Sequence, residues 1–479
     1  MEERRDSAMK RTKIVCTIGP ASQNVETLVK LVQRGMDVAR LNFSHGSYEE
    51  HAARIAAVRE AARRVGKRIA ILLDIQGPKI RTGEMRGGKV PLQAGQMYAL
   101  TTQPCVGDEE RAHVPYPPLT RDLKPGHTIY LDDGLLEMQV MEVQPPEVHC
   151  KVVVGGELGS HKGVILSGVS VDLPACTEKD IADIRFGVSQ DVDFVAASFV
   201  REAVNVEEVR RIIQEAGGQQ QIIAKIESDE GVRNIDGIIE AANGIMVARG
   251  DLGIGIPPEE VPLVQKMIIA RCNAAGKPVI TATQMLESMV HNPRPTRAEV
   301  TDVANAILDG TDAVMLSGES TVGKYPVETV HMMAKIAVHT ESSINYEMNF
   351  RKRRVPTGLS VADAISHATC QTVYDLGIAA VITSTQSGST ARMISKYRPK
   401  VPIVAATPDE RVARQLALMW GVYPVVVPQT KNIDEMLDVS VEAALASGLV
   451  SRGDLVAITA GVRTGEPGST NLLKVHQIV

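Results

Sequence analysis

The sequence predicts an α/β protein: a (β/α)8 barrel, a small β-barrel domain inserted after the third strand, and a C-terminal open α/β domain. Three observations predict it. Short β-rich apolar runs alternate with amphipathic stretches from Lys13 to about Glu319, the pattern of parallel βαβ units. The alternation breaks once, from about Arg81 to Ala175, where Gly, Pro and short alternating runs replace the helical period. After about Tyr346 a basic stretch, RKRRVPTG, leads into a fresh α/β pattern. The expected divisions are 1–79 and 176–345 for the two parts of the barrel, 80–175 for the insert and 346–479 for the C-terminal domain.

Taken in order, the barrel strands are expected over Lys13–Gly19, Val38–His45, Ile69–Ile75, Asp193–Val200, Gln221–Glu227, Gly244–Asp251, Pro278–Thr283 and Asp312–Glu319. Between them, Glu26–Met36, Glu49–Val65, Val206–Ala216, Glu259–Ala275 and Arg297–Leu308 read as helices. Gly35, Gly66, Gly217 and Gly276 close four of these, as glycine commonly does just past a helix end. Met332 and Met333 fall on a helical face and read as core. In the insert, KVPLQAGQMYAL, HTIYLDDGLLEMQVMEV and EVHCKVVVGGEL read as strands of a lid over the barrel mouth; AAVITST, VPIVAAT, YPVVV and DLVAITA read as the C-terminal strands.

Composition narrows the function. The chain has 479 residues and a formal net charge of −5, with no electrostatic footprint for nucleic acid or an anionic membrane. The short run RKRR at Arg351–Arg354 therefore reads as a solvated linker. Hydrophobic residues make up 44% and charged residues 23%, the balance of a globular protein, and no apolar run approaches the ~20 residues of a membrane helix. The charged start, MEERRDSAMKR, is not a secretory signal. Six scattered cysteines lack metal-site spacing, and His113, His127 and His149 in the insert read as ordinary surface or core residues. A cytoplasmic enzyme is the expectation, with no nucleic-acid or membrane partner.

The chemistry is expected at the strand ends, where barrel enzymes carry their active sites. In VARLNFSH, Arg40, Asn42 and Ser44 alternate and share a face; Asp74 ends the third strand; Lys225 and Glu227 share a face in AKIES; Asp251 closes the sixth strand and Thr283 the seventh. One such residue would read as a salt bridge, but polar residues recurring in phase at strand end after strand end read as a site. Glu227 and Asp251 suit a hard divalent cation, Mg²⁺ or Mn²⁺, while Lys225 and Arg40 suit a transferring phosphoryl group. The Gly-rich ARGDLGIG segment offers backbone N–H groups to a carboxylate. Neither a Walker A sequence nor a G-x-G-x-x-G loop is present.

The blocks CTIGPAS, ARLNFSHG, GPKIRTG, AKIES with EGV, IMVARGDLG, TATQMLESM, PRPTRAEVTDVANA and DAVMLSGES together resemble the pyruvate kinase family, in order and over nearly the whole chain. The resemblance implies phosphoryl transfer from phosphoenolpyruvate to ADP, giving pyruvate and ATP. It implies Glu227 and Asp251 as Mg²⁺ ligands, Lys225 at the transferring phosphoryl and the developing enolate, and Arg40 at the substrate phosphate. Gly250, Asp251 and Thr283 would hold the substrate carboxylate, and the proton donor to the enolate would be a relay near Thr283. Asn42, His45, Arg81 and Lys162 match nucleotide contacts. It further implies a homotetramer, without the extra C-terminal domain some bacterial relatives carry.

Two readings concern ions and regulation. Potassium-dependent members hold K⁺ at residues matching Asn42, Ser44, Asp74 and the next backbone, followed by T-K-G-P-E. Here that segment reads Ile75-Gln76-Gly77-Pro78-Lys79, so Lys79 is expected to substitute for K⁺. The loop Ser384, Thr385, Ser387, Gly388, Ser389 and Thr390, between an apolar strand and the helix ARMISKYR, is expected to cradle an effector phosphate. Its second half, AGVRTGEPGSTN, lacks the tryptophan of the fructose-bisphosphate-activated animal enzymes, favouring a monophosphate such as a sugar phosphate or AMP. Rival readings, a Schiff-base or metal-dependent aldolase and a metabolite-binding pseudoenzyme, fit less well. Carboxylates beside Lys225 would keep it protonated, and no catalytic position is broken.

Overall fold

Eight parallel strands close into a ring in the computed structural model, which describes residues 9–352, 360–461 and 470–479. Around the ring they run Lys13–Thr17, Ala313–Leu316, Val279–Ala282, Gly244–Ala248, Gln221–Ile226, Phe194–Ala197, Ala70–Asp74 and Val38–Asn42. Each ends one to three residues before the expected boundary. Ladder hydrogen bonds stop where the chain turns toward its helix, so Ser44, Glu227 and Thr283 sit just past the sheet rather than in it. Asp251 differs most: it lies in the short helix Arg249–Gly255, not at the end of a strand.

The strands are buried on both faces, as a parallel sheet under helices must be. Val15, Val38, Leu72, Phe194, Ile223, Met246 and Ile280 fill the inside of the ring, while Ile14, Cys16, Ile71 and Leu73 pack outward against helices. Met333 is fully buried in that outer layer, with Met332 partly buried beside it. Ser47 and Thr296 open their helices with reciprocal capping boxes to Glu50 and Glu299, each worth ~1 kcal/mol. Gly35, Gly66 and Gly276 close theirs at positive φ; Gly217 follows the cap residue Ala216.

The insert forms a six-stranded sheet and a two-stranded one enclosing a single core that includes Tyr98, Leu100, Ile129, Met138 and Val152. Turns divide the long runs into shorter strands. Gly95 separates Lys89–Leu92 from Met97–Thr101, and Asp132, Asp133 and Gly134, all at positive φ, separate Thr128–Leu131 from Leu136–Gln144. In the C-terminal domain the four expected strands appear as Ala380–Ser384, Ile403–Thr407, Val422–Val426 and Leu455–Gly461, all parallel. A fifth, Thr470–Gln477, pairs antiparallel with the fourth and was not expected.

The C-terminal domain closes the barrel's floor. Ala417 and Leu418 pack in the same cluster as the ring's inner side chains. Around them, Arg414 reaches Asp193 at 2.6 Å, Arg398 reaches Asp312 at 3.0 Å, and the Lys13 ammonium donates to the Val422 carbonyl at 2.6 Å.

Candidate active site

The mouth of the barrel centres on the Lys225 ammonium. The fifth strand carries it inward, where it lies 3.0 Å from Glu227 Oε1, 3.2 Å from Asp74 Oδ1 and 2.6 Å from Ser198 Oγ. Burial alone would lower its pKa, but Asp74 and Glu227 together raise it, so it is a fixed cation. Asp74 is 1% exposed; burial works to raise its pKa, and Arg40 and Lys225 nonetheless hold it below the usual carboxylate value. Arg40 contributes a 2.7 Å bond from Nε to Asp74 Oδ2 and one of 2.8 Å from Nη1 to Thr17 Oγ1. Two cations thus share one buried carboxylate at the strand ends.

Glu227 is also buried, and its Oε2 accepts the Phe199 N–H at 2.7 Å. Burial raises its pKa against the pull of Lys225, and the neighbouring Asp251 charge adds to the rise. Glu227 and Asp251 together form an oxygen donor pair suited to a hard divalent cation. Among the described ion pairs Asp251 has one partner, Lys79 at 2.9 Å, whose ammonium also lies 4.7 Å from the Phe199 ring centre. This departs from the expected grouping of Lys79 with Asn42, Ser44 and Asp74. Asp74 already has Arg40 and Lys225, so the additional ammonium goes to the otherwise unpaired Asp251. Asn42 Oδ1 instead accepts the Ser44 N–H at 3.1 Å, and Ser44 lies in a turn past the strand, so it does not continue the face of Arg40 and Asn42.

Thr283 and Gln284 both sit at positive φ, 68° and 55°, a conformation L-residues rarely adopt. A clasp holds them there. The Gly250 N–H donates to Thr283 Oγ1 at 2.8 Å; Arg249 donates to the carbonyls of Ala282 at 3.2 Å and Thr283 at 2.7 Å, and is itself held by Asp302 at 2.7 Å. From the lid, Lys162 points to Asp132 at 2.9 Å, and Arg81, where the chain enters the insert, donates to the His161 carbonyl at 3.0 Å. His45 is exposed, its carbonyl accepting from His51 at 2.9 Å.

The strand-end logic overlooked four residues: Thr17, Ser198, Phe199 and Arg249. Ser198 obeys the same rule as Asp74 but is hidden in the apolar run VAASFV. At the distant loop, Ser384 ends its strand, Thr385 is buried, Gly388 has φ 78° and Ser389 and Thr390 open the helix Ser389–Lys396. The Ser387 carbonyl accepts from Arg392 at 2.8 Å, and Thr390 Oγ1 lies 2.8 Å from Thr470 Oγ1. Most of AGVRTGEPGSTN and the end of the basic linker lie outside the described residues.

This constellation, a buried lysine and arginine laced to carboxylates at the mouth of a lidded barrel, belongs to phosphotransferases rather than to Schiff-base enzymes, which need a neutral amine. The model of the pyruvate kinase barrel domain matches residues 9–330, and that of its alpha/beta domain matches residues 363–476. The chain belongs to the pyruvate kinase family, transferases of glycolysis that move the phosphoryl group of phosphoenolpyruvate to ADP. It is 55% identical to the pyruvate kinase of Geobacillus stearothermophilus over 98% of this chain and 80% of that one. It is 50% identical to that of Clostridium acetobutylicum over 98% and 100%. A crystal structure of a pyruvate kinase from Cryptosporidium parvum superposes with a TM-score of 0.94 at 40% identity, covering 99% of this chain and 97% of that one.

Proposed function

We propose that Lys225, Arg40 and Thr283 carry the phosphoryl transfer and that Glu227 and Asp251 hold the divalent ion. The observation that carries this reading is the Lys225 ammonium, fixed between Asp74, Glu227 and Ser198 within 3.2 Å of each. Arg40 and Lys225 bind the substrate phosphate, and Lys225 meets the charge that develops as the phosphoryl group leaves the enolate oxygen. Gly250, Asp251 and Thr283 orient the substrate carboxylate; the strained turn gives Thr283 a set position before substrate arrives. Thr283 also stands at the start of the proton relay to the enolate carbon. The divalent ion, Mg²⁺ or Mn²⁺, supplies Lewis-acid charge to phosphate and enolate oxygens when bound. Asn42, His45, Arg81 and, from the lid, Lys162 take the nucleotide, with Lys162 exchanging Asp132 for phosphate oxygens.

The same reading makes potassium dispensable. Lys79 brings a permanent positive charge into the carboxylate cluster, although beside Asp251 rather than Asp74. Allosteric control by a phosphorylated metabolite, a monophosphate, is assigned to the loop from Ser384 to Thr390, whose positive-φ Gly388 precedes a helix opened by Ser389 and Thr390. The divisions 1–79, 80–175, 176–345 and 346–479 describe the working parts. A homotetramer needs two kinds of self-contact, and exposed apolar residues on the barrel helices, such as Leu263 and Leu308, and on a C-terminal helix, such as Val361, are available to them. A cytoplasmic setting is supported by six free cysteines, and no helix among the described residues is long and apolar enough to cross a membrane. The test is pyruvate release from phosphoenolpyruvate in the purified protein. Release should require both ADP and Mg²⁺ and proceed without K⁺, whereas release independent of ADP would overturn the assignment.

A further inference from the structure

The lid joins the barrel through two connections, 75–80 on the way in and 167–176 on the way out, and one carboxylate holds both. Asp180 is fully buried in the first turn of the helix Glu178–Ser189. Its Oδ2 accepts the Thr177 N–H at 2.9 Å and the Thr177 hydroxyl at 2.7 Å, at the foot of the exit connection. Its Oδ1 accepts the Gly77 N–H at 3.1 Å, from the entry connection 103 positions earlier. Gly77 has a φ of 71°, and a Cβ there would stand 2.7 Å from Ser198 Cβ and 3.0 Å from the Ser198 carbonyl oxygen. The entry connection is therefore pressed onto Ser198, whose hydroxyl also donates to the Ile75 carbonyl at 2.7 Å. Capping alone does not account for Asp180. The boxes at Ser47 and Thr296 are closed by Glu50 and Glu299, neither of them buried. A carboxylate out of water needs strong compensating hydrogen bonds, and among the described ones Asp180 draws them from neutral donors on both connections.

We propose that Asp180 is a positioning residue for the phosphoryl transfer: by tying the lid's two connections together at the barrel's rim, it sets where Arg81 and Lys162 stand over the site. The inference rests on the nucleotide role given above to those two cations. The link from Gly77 to them is short. Past Gly77 the chain reaches Arg81 and Thr82; the Thr82 N–H donates to the Lys162 carbonyl at 2.8 Å, and the Lys162 N–H donates to Thr82 Oγ1 at 3.0 Å. A lid released at one connection samples poses in which both cations stand away from the nucleotide. The apparent affinity for ADP then falls by the fraction of time the pose is right. At saturating ADP the nucleotide itself holds the lid, and turnover recovers. Phosphoenolpyruvate, on the same reading, is held from the barrel. Ser198 keeps its bond to the Ile75 carbonyl without Asp180, so Lys225 keeps its place.

The experiment is steady-state kinetics of the full-length protein in excess Mg²⁺, with Lys162→Gln measured alongside. Asp180→Asn keeps the side chain's size but turns one acceptor oxygen into a donor, so Gly77 and Thr177 cannot both be served. It should raise the KM for ADP about tenfold and change kcat and the KM for phosphoenolpyruvate by less than about twofold. Asp180→Glu restores the residue type that closes the boxes at Ser47 and Thr296 but displaces the acceptor from Gly77. It should raise the KM for ADP too, and it stands in where the asparagine variant does not fold. With Lys162→Gln raising the KM for ADP, three results overturn this inference alone. One is a wild-type KM for ADP in either Asp180 variant. Another is a fall in kcat with both KM values unmoved, the mark of a lost helix cap and fewer folded molecules. The third is failure of both variants to fold, which makes Asp180 a structural residue. A KM for ADP unmoved by Lys162→Gln overturns the nucleotide reading and this inference with it.

Discussion

Replacing Lys225 with methionine removes one buried cation while keeping most of the side chain's length. At about 3 Å and an effective dielectric of about 20, each carboxylate attracts that ammonium by about 5 kcal/mol before desolvation is counted. In the reaction the same charge faces the phosphoryl group and the enolate. Removing a single oxyanion donor elsewhere costs about 10²–10³ in turnover, and a charged donor should cost at least the upper figure, ~4 kcal/mol. Breaking a buried pair typically costs about 3–5 kcal/mol of stability. Here the loss should be smaller, because Asp74 retains Arg40 at 2.7 Å and Glu227, its pKa already raised, takes up a proton. The variant should therefore be folded by circular dichroism and nearly inactive in a lactate-dehydrogenase-coupled assay at saturating substrate, with kcat down about a thousandfold or more. A folded Lys225→Met protein with kcat within tenfold of wild type would refute the role given to this lysine.

Lys79→Glu should make turnover depend on K⁺ in a tetramethylammonium-balanced buffer in which wild type does not respond; activation of wild type by K⁺ would count against Lys79 as its substitute. Asp302→Asn loosens the Arg249 clasp on Thr283, and should raise the KM for phosphoenolpyruvate about tenfold through the turn at 283–284, leaving the KM for ADP near its original value. Ser387→Asp should abolish activation by a sugar monophosphate or AMP without altering basal turnover, measured as loss of the shift in substrate half-saturation. Glu227 has a pKa raised in the folded state, so its ionised form costs stability: the benefit of the protonated form is complete below the unfolded value and is lost as pH rises through the folded one. Without divalent ion, wild type should thus melt progressively lower than Glu227→Gln as pH rises above the ordinary glutamate range, and Mg²⁺ should narrow that gap, as read by scanning calorimetry.

How much of this was legible in the sequence follows from range. The eight barrel strands, the lid and the C-terminal sheet announce themselves by local periodicity, and Lys225 and Glu227, two residues apart, announce a shared face the same way. What hydrogen-bonds across the ring does not. The Lys79–Asp251 pair spans 172 positions, and no local pattern shows that Asp74 is already neutralised by Arg40 and Lys225. Ser198 is short, polar and embedded among apolar neighbours, so it looks like tolerated core. Asp251 was expected to close the strand that runs through IMVARGDLG, yet the chain turns into the helix Arg249–Gly255 first. The strand Thr470–Gln477 was missed because its outward side is polar and its partner lies antiparallel across a loop, which weakens the apolar run that marks the parallel strands.

Leu418 has a consequence for how such a protein can be taken apart. A side chain contributed by one domain but solvated by another domain's interior makes the two a single melting unit. Deleting everything after about position 345 would uncover the inner ring at its floor, a vacancy at least the size of the lost leucine and alanine, at a cost of ~3–5 kcal/mol from the leucine alone. The lid is attached on the opposite principle: both its ends return to neighbouring strands, Ala70–Asp74 and Phe194–Ala197, and its core is its own. Excision of the lid should therefore leave a soluble barrel, whereas excision of the C-terminal domain should leave an aggregate. The same chain thus carries one accessory domain that is a removable attachment and another that is the keystone.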